Sequence, residues 1–265
     1  MTTGTQAASE TGQGAGRHAP LRLYSIVMPA WNEEEVIADT IGALTEHLDR
    51  TGHPYEIVVV DDGSTDRTPE ILRDLAARHP AIRPVRNPGP GGYGFAIRRG
   101  LEHYRGDAVV VVTSDGADAP KDVAAYFDRI ALGHDCVFGD RFALGATVTG
   151  YPPVKRLVNR LANRLISLLV GRPYRDFTNG FKCYRRHVVD DMQPLVCGQF
   201  NITIEMSLKA VLGGWDYAVV PNDWRERGGG SSSFRLLRLV RPYAATLVFC
   251  LARAYLLGIR RPGTK

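Results

Sequence analysis

The sequence predicts an α/β fold, a mostly parallel sheet flanked by helices, with a basic amphipathic helix at the C-terminal end. Three observations carry this reading. Strand and helix signals alternate through the first half of the chain, the rhythm of a parallel sheet covered on both faces. The strand candidates include short, nearly unbroken apolar runs, as burial on both sides demands. Polar, acidic loops follow three of the strands, at the carboxyl ends where such sheets bind ligands.

Tyr24–Met28 reads as the first strand. Asn32 is placed as a helix N-cap with Glu35 three residues on, a capping box, and Val36, Ile37, Ile41, Leu44 and Leu48 follow at helical spacing until Gly52 and Pro54. Glu56–Val60 is a buried strand, Asp61–Asp66 its exit loop, and Ile71, Leu72 and Leu75 lay the next helix over the sheet. Ile82–Val85 is a short strand, and Gly89–Gly94 opens a helix that runs to Tyr104. Ala108–Thr113 is the most apolar strand, left through Ser114–Pro120. In the second half, Asp135–Gly139, Gly180–Tyr184 and Tyr217–Val220 read as strands and Ile204–Leu212 as a helix. Val154–Val170 is an amphipathic helix with Arg156, Arg160 and Arg164 at four-residue spacing, hence on one face. Gly228–Ser233 is a Gly/Ser hinge, and Phe234–Leu257 is a basic amphipathic helix that Pro242 would bend.

The 265 residues are 44% hydrophobic and 23% charged, ordinary globular composition with room for one large domain or two small ones. A collagen, a wholly disordered chain and a disulfide-stapled scaffold are excluded. Cys136, Cys183, Cys197 and Cys250 show no CxxC or metal-ligand spacing and read as reduced thiols of a cytoplasmic protein. Residues 1–20 read as a disordered leader without a signal peptide, leaving 21–233 as the main domain and 234–265 as a basic tail. The uncharged run Pro242–Ala252 is short of the ~20 apolar residues a membrane span needs. The net charge of +5 is concentrated: Trp224–Lys265 holds nine Lys/Arg against one acid, Glu226. Such a tail points to an anionic partner, whether lipid headgroup, phosphorylated substrate or nucleic acid.

The rim loops carry the chemistry. Asp61 and Asp62 can accept hydrogen bonds from a nucleobase or ribose, although Ser64 and Asp66 suit a plain helix cap equally. Asp115 and Asp118 suit a hard divalent cation, which takes one or two carboxylates plus phosphate oxygens, although Ser114–Asp118 is also an ordinary loop before a helix. Asn87, Gly89, Gly91, Gly92 and Gly94 have the composition of a phosphate-cradling turn, but the spacing fits neither the P-loop nor the dinucleotide fingerprint.

Taken in order, Pro29-Ala30-Trp31-Asn32-Glu33, Asp61-Asp62-Gly63-Ser64-Thr65-Asp66, Asn87 through Gly91 and Gly94 to Gly100, and Ser114-Asp115-Gly116-Ala117-Asp118-Ala119-Pro120 resemble the inverting family-two glycosyltransferases of GT-A, Rossmann-like fold. Gly139-Asp140-Arg141-Phe142, Asp176-Phe177-Thr178-Asn179-Gly180-Phe181-Lys182, Phe200-Asn201-Ile202-Thr203-Ile204-Glu205 and Trp224-Arg225-Glu226-Arg227 with Ser231-Ser232-Ser233 resemble its polyprenyl-phosphate branch, the dolichol-phosphate mannosyltransferase-like enzymes. The resemblance implies that Pro29, Ala30, Asn32, Glu33, Asp61, Asp62 and Ser114 bind a nucleotide-sugar donor. It implies Asp115, Asp118, Asp176 and Arg141 as catalytic residues, with Asp115 and Asp118 holding Mg²⁺ or Mn²⁺. Arg156, Arg227 and Ser232 would bind the acceptor phosphate. The first acid of the family's Asp-x-Asp motif is Thr113 or Ser114 here, a departure for which Asp118 would compensate.

The implied reaction is transfer of a hexose from a GDP- or UDP-linked donor to polyprenyl phosphate, with inversion. It would take place on the cytoplasmic face of the membrane, in peripheral contact with anionic lipid. A homo-oligomer is left open and nucleic-acid binding is not expected. Two alternatives stand beside it. One is transfer to a glycan or small-molecule hydroxyl, for which Asp176 and Glu205 are the candidate bases; the other is a non-catalytic nucleotide-sugar binder or scaffold.

Overall fold

The computed structural model describes residues 21–225 and 236–258. The main sheet is built by β1 (Tyr24–Ala30), β2 (Tyr55–Asp61), β3 (Ile82–Arg86), β4 (Ala108–Val111), β5 (Cys136–Asp140), β7 (Lys182–Arg185) and β8 (Tyr217–Pro221). Its order is β3-β2-β1-β4-β7-β5-β8. All neighbouring pairs are parallel except the two that β7 makes, with β4 and with β5. β6 (Val148–Thr149) and β9 (Trp224–Arg225) form a separate two-stranded sheet.

Six of the eight helices were legible as apolar periodicity: α1 (Ile37–Leu48), α2 (Thr68–Arg78), α3 (Tyr93–His103), α5 (Pro153–Val170), α7 (Ile202–Leu212) and α8 (Leu236–Leu256). α4 (Pro120–Ala131) and the single-turn-scale α6 (Arg186–Asp191) complete the set among the described residues. Two apolar layers sandwich the sheet, because successive strand side chains point to opposite faces. Ile26 and Met28 of β1 join Ile37, Ile41 and Leu44 of α1 and Val123 and Phe127 of α4. Val27 joins Ala96 and Ile97 of α3 and Ile204, Leu208 and Val211 of α7.

Two features of this order position the site. The chain runs outward from β1 through β2 to β3, then returns to β4 on the other side of β1. The crevice beyond β1 and β4 is therefore a topological switch point, where open α/β sheets bind ligands. β7 enters the sheet from that same rim because it runs antiparallel, so the residues just before it, Asp176–Asn179, lie beside the ends of β4 and β5.

The N-cap assignment of Asn32 needs correction. α1 starts five residues later, after Val36, and no side chain caps it. Asn32 sits in the left-handed region at φ 53°, which Asn tolerates better than most residues. Its Oδ1 accepts the Thr65 backbone N–H at 2.8 Å, and its own N–H donates to Ser64 Oγ at 3.0 Å. The polar residues that resembled a local cap join two rim loops instead. The expected leader (1–20), Arg227, Ser232 and the Gly228–Ser233 hinge lie outside the described residues.

The C-terminal helix is present where the sequence placed it. α8 packs on α7, burying Thr246, Cys250 and Ala254. Arg253 turns inward, donating to the carbonyls of Asp191 and Gln193. Over its described side chains α8 is a docked helix. No helix among the described residues is long and apolar enough to cross a membrane.

Candidate active site

A cavity of about 530 Å³ opens at the switch point. One wall is the turn after β1, with Pro29, Ala30, Trp31 and Glu33; the floor is Thr113, Ser114 and Asp115 after β4. The far wall is Gly91, Gly92 and Tyr93 at the start of α3, with Gln199 and Phe200 before α7. Trp31 stands 60% exposed at the mouth, while the Tyr93 and Phe200 rings stack at 4.4 Å and 13°. A flat, apolar-lined slot with polar ends suits a planar base or sugar ring.

The first two rim loops are stitched together before any ligand arrives. Glu33 N–H donates to Thr68 Oγ1, Glu34 N–H to Asp66 Oδ2, and Arg67 N–H to Glu34 Oε2, all at 2.9 to 3.0 Å. Asp61 is 7% exposed, accepts the Ser64 N–H through Oδ1 and does not line the cavity; nor does Asn32. Asp62 does line it, but Oδ1 accepts from Asn87 Nδ2 and Oδ2 from the Gly92 N–H, both at 2.6 Å. The glycine-rich turn is therefore anchored by a carboxylate. The amides of Gly94 and Phe95, beyond Tyr93, donate to the Gly198 carbonyl at 3.0 and 3.2 Å. The Gly92, Gly94 and Phe95 amides are thus already paired within the protein, and the Asp62 carboxylate stands against the turn.

The sequence of these walls carries a family signature. A family-wide profile, glycosyl transferase family 2, matches residues 25–193. The chain belongs to this family. It is a glycosyltransferase. A dolichyl-phosphate hexose transferase of Haloferax volcanii is 34% identical over 207 residues, 77% of this chain and 84% of that protein. A polyprenol monophosphomannose synthase of Mycolicibacterium smegmatis is 29% identical over 233 residues, 84% and 86% of the two chains. Glucosyl-3-phosphoglycerate synthase of Mycobacterium tuberculosis, solved with Mn²⁺, uridine diphosphate and glucosyl-3-phosphoglycerate, shares the fold. Its TM-score is 0.68 at 22% identity, covering 86% of this chain and 80% of that one.

In this glycosyltransferase the acid pair lies on the loop between β4 and α4. Asp115 is half-buried, and its Oδ1 accepts the Ala117 N–H at 3.1 Å. Asp118 Oδ2 accepts both the N–H and the hydroxyl of Thr113, at 2.9 and 3.0 Å. Burial pushes the Asp118 carboxyl up to about 6; the Thr113 bonds oppose that, and the Asp115 charge adds to it. Two carboxylates that repel each other in a partly dry loop form a donor set suited to a hard divalent cation, completed by phosphate oxygens and water. No group of three or more His, Cys, Asp or Glu that could hold a metal occurs among the described residues. Thr113, at the position of the motif's first acid, fixes the orientation of Asp118 through these two bonds.

Arg141 and Asp176 form one unit. Arg141 Nε and Nη2 grip the two Asp176 oxygens at 2.9 and 2.8 Å, and the Arg141 N–H adds a third bond at 3.1 Å. Asp176 is fully buried and does not line the donor cavity, so its place is beneath Arg141. The Arg141 charge reaches Asp118, whose carboxyl it lowers, and so connects the acid pair with the second half of the chain. Under this unit lies Lys182, 1% exposed, whose Nζ donates to the carbonyls of Phe177 and Asn179. Burial pushes the Lys182 amine down to about 7, only partly offset by Asp176.

A pH effect follows from the depressed amine. An unfolded lysine keeps its proton to about 10.5, so between pH 7 and that value the unfolded state binds more protons and stability rises with pH. Below pH 7 both states are protonated and the cost of burial is complete. Thermal melts of wild type and Lys182→Met should therefore diverge: wild type gains on the variant from pH 7 towards 10. Parallel profiles would contradict the buried amine.

Glu205, the other candidate base, is excluded by its surroundings. It is fully buried, pairs with Lys209 Nζ at 2.6 Å, and accepts the N–H groups of Val196 and Cys197 at 2.8 to 3.2 Å. These contacts hold its carboxyl below the usual range despite burial. It secures the strand-like segment that carries Gln199 and Phe200 to the cavity. Close backbone approach secures the same wall: a Cβ on Gly94 would lie 2.6 Å from the Cys197 carbonyl oxygen and the Gly198 carbonyl carbon. Gly94→Ala should cost ~1–3 kcal/mol in urea unfolding, since neither backbone atom can rotate away.

Sequence reasoning missed Tyr93 and Gln199 as lining residues and had Trp31 only as part of the Pro29–Glu33 turn. The doublet Gly91-Gly92 just before Tyr93 was the available signal, because Gly92 takes φ 151° with no room for a side chain beside Gln199.

Proposed function

We propose that this glycosyltransferase moves a hexose from a GDP- or UDP-linked donor to a polyprenyl phosphate, with inversion, on the cytoplasmic face of a membrane. The observation that carries the acceptor is a cluster of three guanidinium groups, Arg141, Arg156 and Arg160, each 5.7 to 5.8 Å from the centre of the Phe142 ring. Only Arg141 has a carboxylate partner among the described residues. Two positive charges without a carboxylate partner among the described residues, grouped with Arg141, suit a dianion, and guanidinium forks bind phosphate oxygens bidentately.

A phosphate monoester has a second pKa near 6 and is largely a dianion at neutral pH. It needs no general base, and both carboxylates suspected of that role, Asp176 and Glu205, are buried and paired. This favours a phosphate over a hydroxyl acceptor. The names of the Haloferax and Mycolicibacterium relatives favour it too.

In this reading the cavity walls hold the base and sugar, with Glu33, Asp62 and Ser114 at the polar ends. Asp61 and Asn32 act one step back, by fixing the loops. Asp115 and Asp118 would hold Mg²⁺ or Mn²⁺, which supplies positive charge against the departing nucleoside diphosphate. Arg141, kept rigid by Asp176, faces the diphosphate. Arg156 and Arg160, together with Arg227 and Ser232 beyond the described residues, hold the acceptor phosphate. Its oxygen then attacks the anomeric carbon from the face opposite the leaving group.

The membrane contact falls chiefly on α5. Val154, Leu157, Leu161 and Leu168 are 60 to 73% exposed on this helix, next to Arg156 and Arg160. An apolar ridge flanked by arginines suits the headgroup layer.

The test is transfer from labelled nucleotide-sugars with Mn²⁺ to a short-chain polyprenyl phosphate and, in parallel, to the matching polyprenol. Product from the phosphate alone is expected; equal use of the alcohol would overturn the acceptor assignment. Arg156→Ala should raise the acceptor KM by roughly tenfold, the loss of one charge-assisted bond, with donor KM unchanged.

A further inference from the structure

A second groove, of about 970 Å³, lies between α5 and the sheet edge at β8. It does not share a lining residue with the donor cavity. Arg160 and Arg164 of α5 and Arg175 of the following loop line it, and none of the three makes an ion pair among the described residues. Its one acid is Asp140, whose Oδ1 already accepts the Phe142 N–H at 2.8 Å. The rest of the lining is largely apolar: Leu157, Leu161 and Leu168 on the helix side, Tyr217 and Val219 on the strand side.

We propose that this groove binds the headgroup of an anionic phospholipid, with the upper part of its acyl chains against the leucines. Charge complementarity selects the headgroup. Three arginines facing one occupied carboxylate leave a surplus of about two positive charges in a partly enclosed space, where they attract a phosphate more strongly than on open surface. The apolar side selects a lipid over a soluble anion. A free phosphate would gain nothing from the three leucines, whereas a lipid buries them at about 25 cal/mol per Å². Leu161 and Leu168 are 60% and 72% exposed, so the groove opens along the same ridge that faces the membrane in the reading above. The proposal rests on that reading for the membrane alone, not for the sugar, the donor or the acceptor.

The groove therefore gives the enzyme a lipid preference separate from its acceptor. Arg160 stands at the junction, 5.7 Å from the Phe142 ring on one side and in the groove on the other. Arg164 and Arg175 belong to the groove only, and both are exposed enough to be replaced without disturbing the core.

The experiment uses the full chain without donor or acceptor, so it succeeds or fails independently of the sugar-transfer assay. Sedimentation with vesicles of phosphatidylcholine is compared with vesicles that also contain phosphatidylglycerol, at fixed ionic strength. Wild type should prefer the anionic vesicles. Arg164→Gln with Arg175→Gln should reduce that preference by roughly tenfold or more, as two arginines near an anionic surface imply. The pair Arg164→Lys with Arg175→Lys should keep most of it. A control pair of equal charge loss, Arg78→Gln with Arg129→Gln on exposed faces of α2 and α4, should change it little. Thermal melts confirm that each variant folds. Calorimetry with monomeric dihexanoyl phosphatidylglycerol and with inorganic phosphate separates the sources, and only the lipid should bind. Equal losses in the groove and control pairs would overturn the proposal, as would equal binding of inorganic phosphate or no preference for phosphatidylglycerol. A rise in acceptor KM for the Gln pair at unchanged vesicle partition would reassign the groove to the acceptor phosphate and also overturn it.

Discussion

Asp115→Asn should reduce metal-dependent sugar transfer by roughly 10²–10³-fold, the usual effect of removing one preorganised electrostatic stabiliser. The substitution keeps what Asp115 does for the fold. Asn retains an Oδ1 that can accept the Ala117 N–H, and the side chain is only half-buried. What it removes is one negative charge from a pair whose second member, Asp118, is already committed to Thr113 through Oδ2. Stability should therefore change by no more than ~0.5 kcal/mol, within the range of ordinary surface substitutions. Steady-state assays across a Mn²⁺ titration, with a thermal melt of each protein, separate the two effects. Near-normal turnover would refute Asp115 as a ligand, and a large fall in melting temperature would turn it into a structural residue.

Asp176→Asn should act in the opposite proportion, on stability first. Asp176 is fully buried, and three bonds tie it to Arg141, whose side chain is only 10% exposed. Removing one partner of a buried pair leaves the other charge without compensation and costs ~3–5 kcal/mol. For a domain of this size that is a fall in melting temperature of roughly 10 °C. Adding Arg141→Met to Asp176→Asn should recover much of the loss, because the buried guanidinium is then no longer left without its carboxylate. Transfer activity should not recover in the double variant, since the guanidinium proposed to face the diphosphate is gone. Recovery of both would show that the pair serves the fold alone. Failure of the second substitution to restore stability would show that Asp176 acts through partners other than Arg141.

These two variants probe different levels of the molecule, and the levels were unequally legible in the sequence. The acid pair on the β4–α4 loop was visible, because a buried β-branched run followed by Ser114–Asp118 has only one sensible place in an α/β sheet: the carboxyl rim. The strands β1 to β4 lie within two residues of where periodicity put them. Their unbroken apolar runs reflect burial on both faces, a property each segment carries locally.

Asn32 shows where local reading stops. Its neighbours match a capping box, yet its side chain bonds Thr65, 33 positions away, because two rim loops meet across the switch point. Asp176 and Glu205 looked alike in sequence, as acids inside family motifs. The fold gives one to Arg141 and the other to Lys209 and two backbone amides, and thereby removes both as bases. α5 was legible as amphipathic, but whether Val154, Leu157, Leu161 and Leu168 would be covered was not written in the segment. These four stay exposed beside Arg156 and Arg160, and a groove opens between this helix and β8.

By itself, then, the amino-acid order determined the α/β class, the run of strands and helices, and the family, because short-range patterning of apolar and turn residues is written segment by segment. Only the tertiary structure decided that β7 runs antiparallel, bringing Asp176 under Arg141, and which charges are spent on each other. The reason is physical: ion pairs and cavity walls form between residues tens of positions apart, and their strength depends on burial, which no segment possesses until the whole sheet has closed around it.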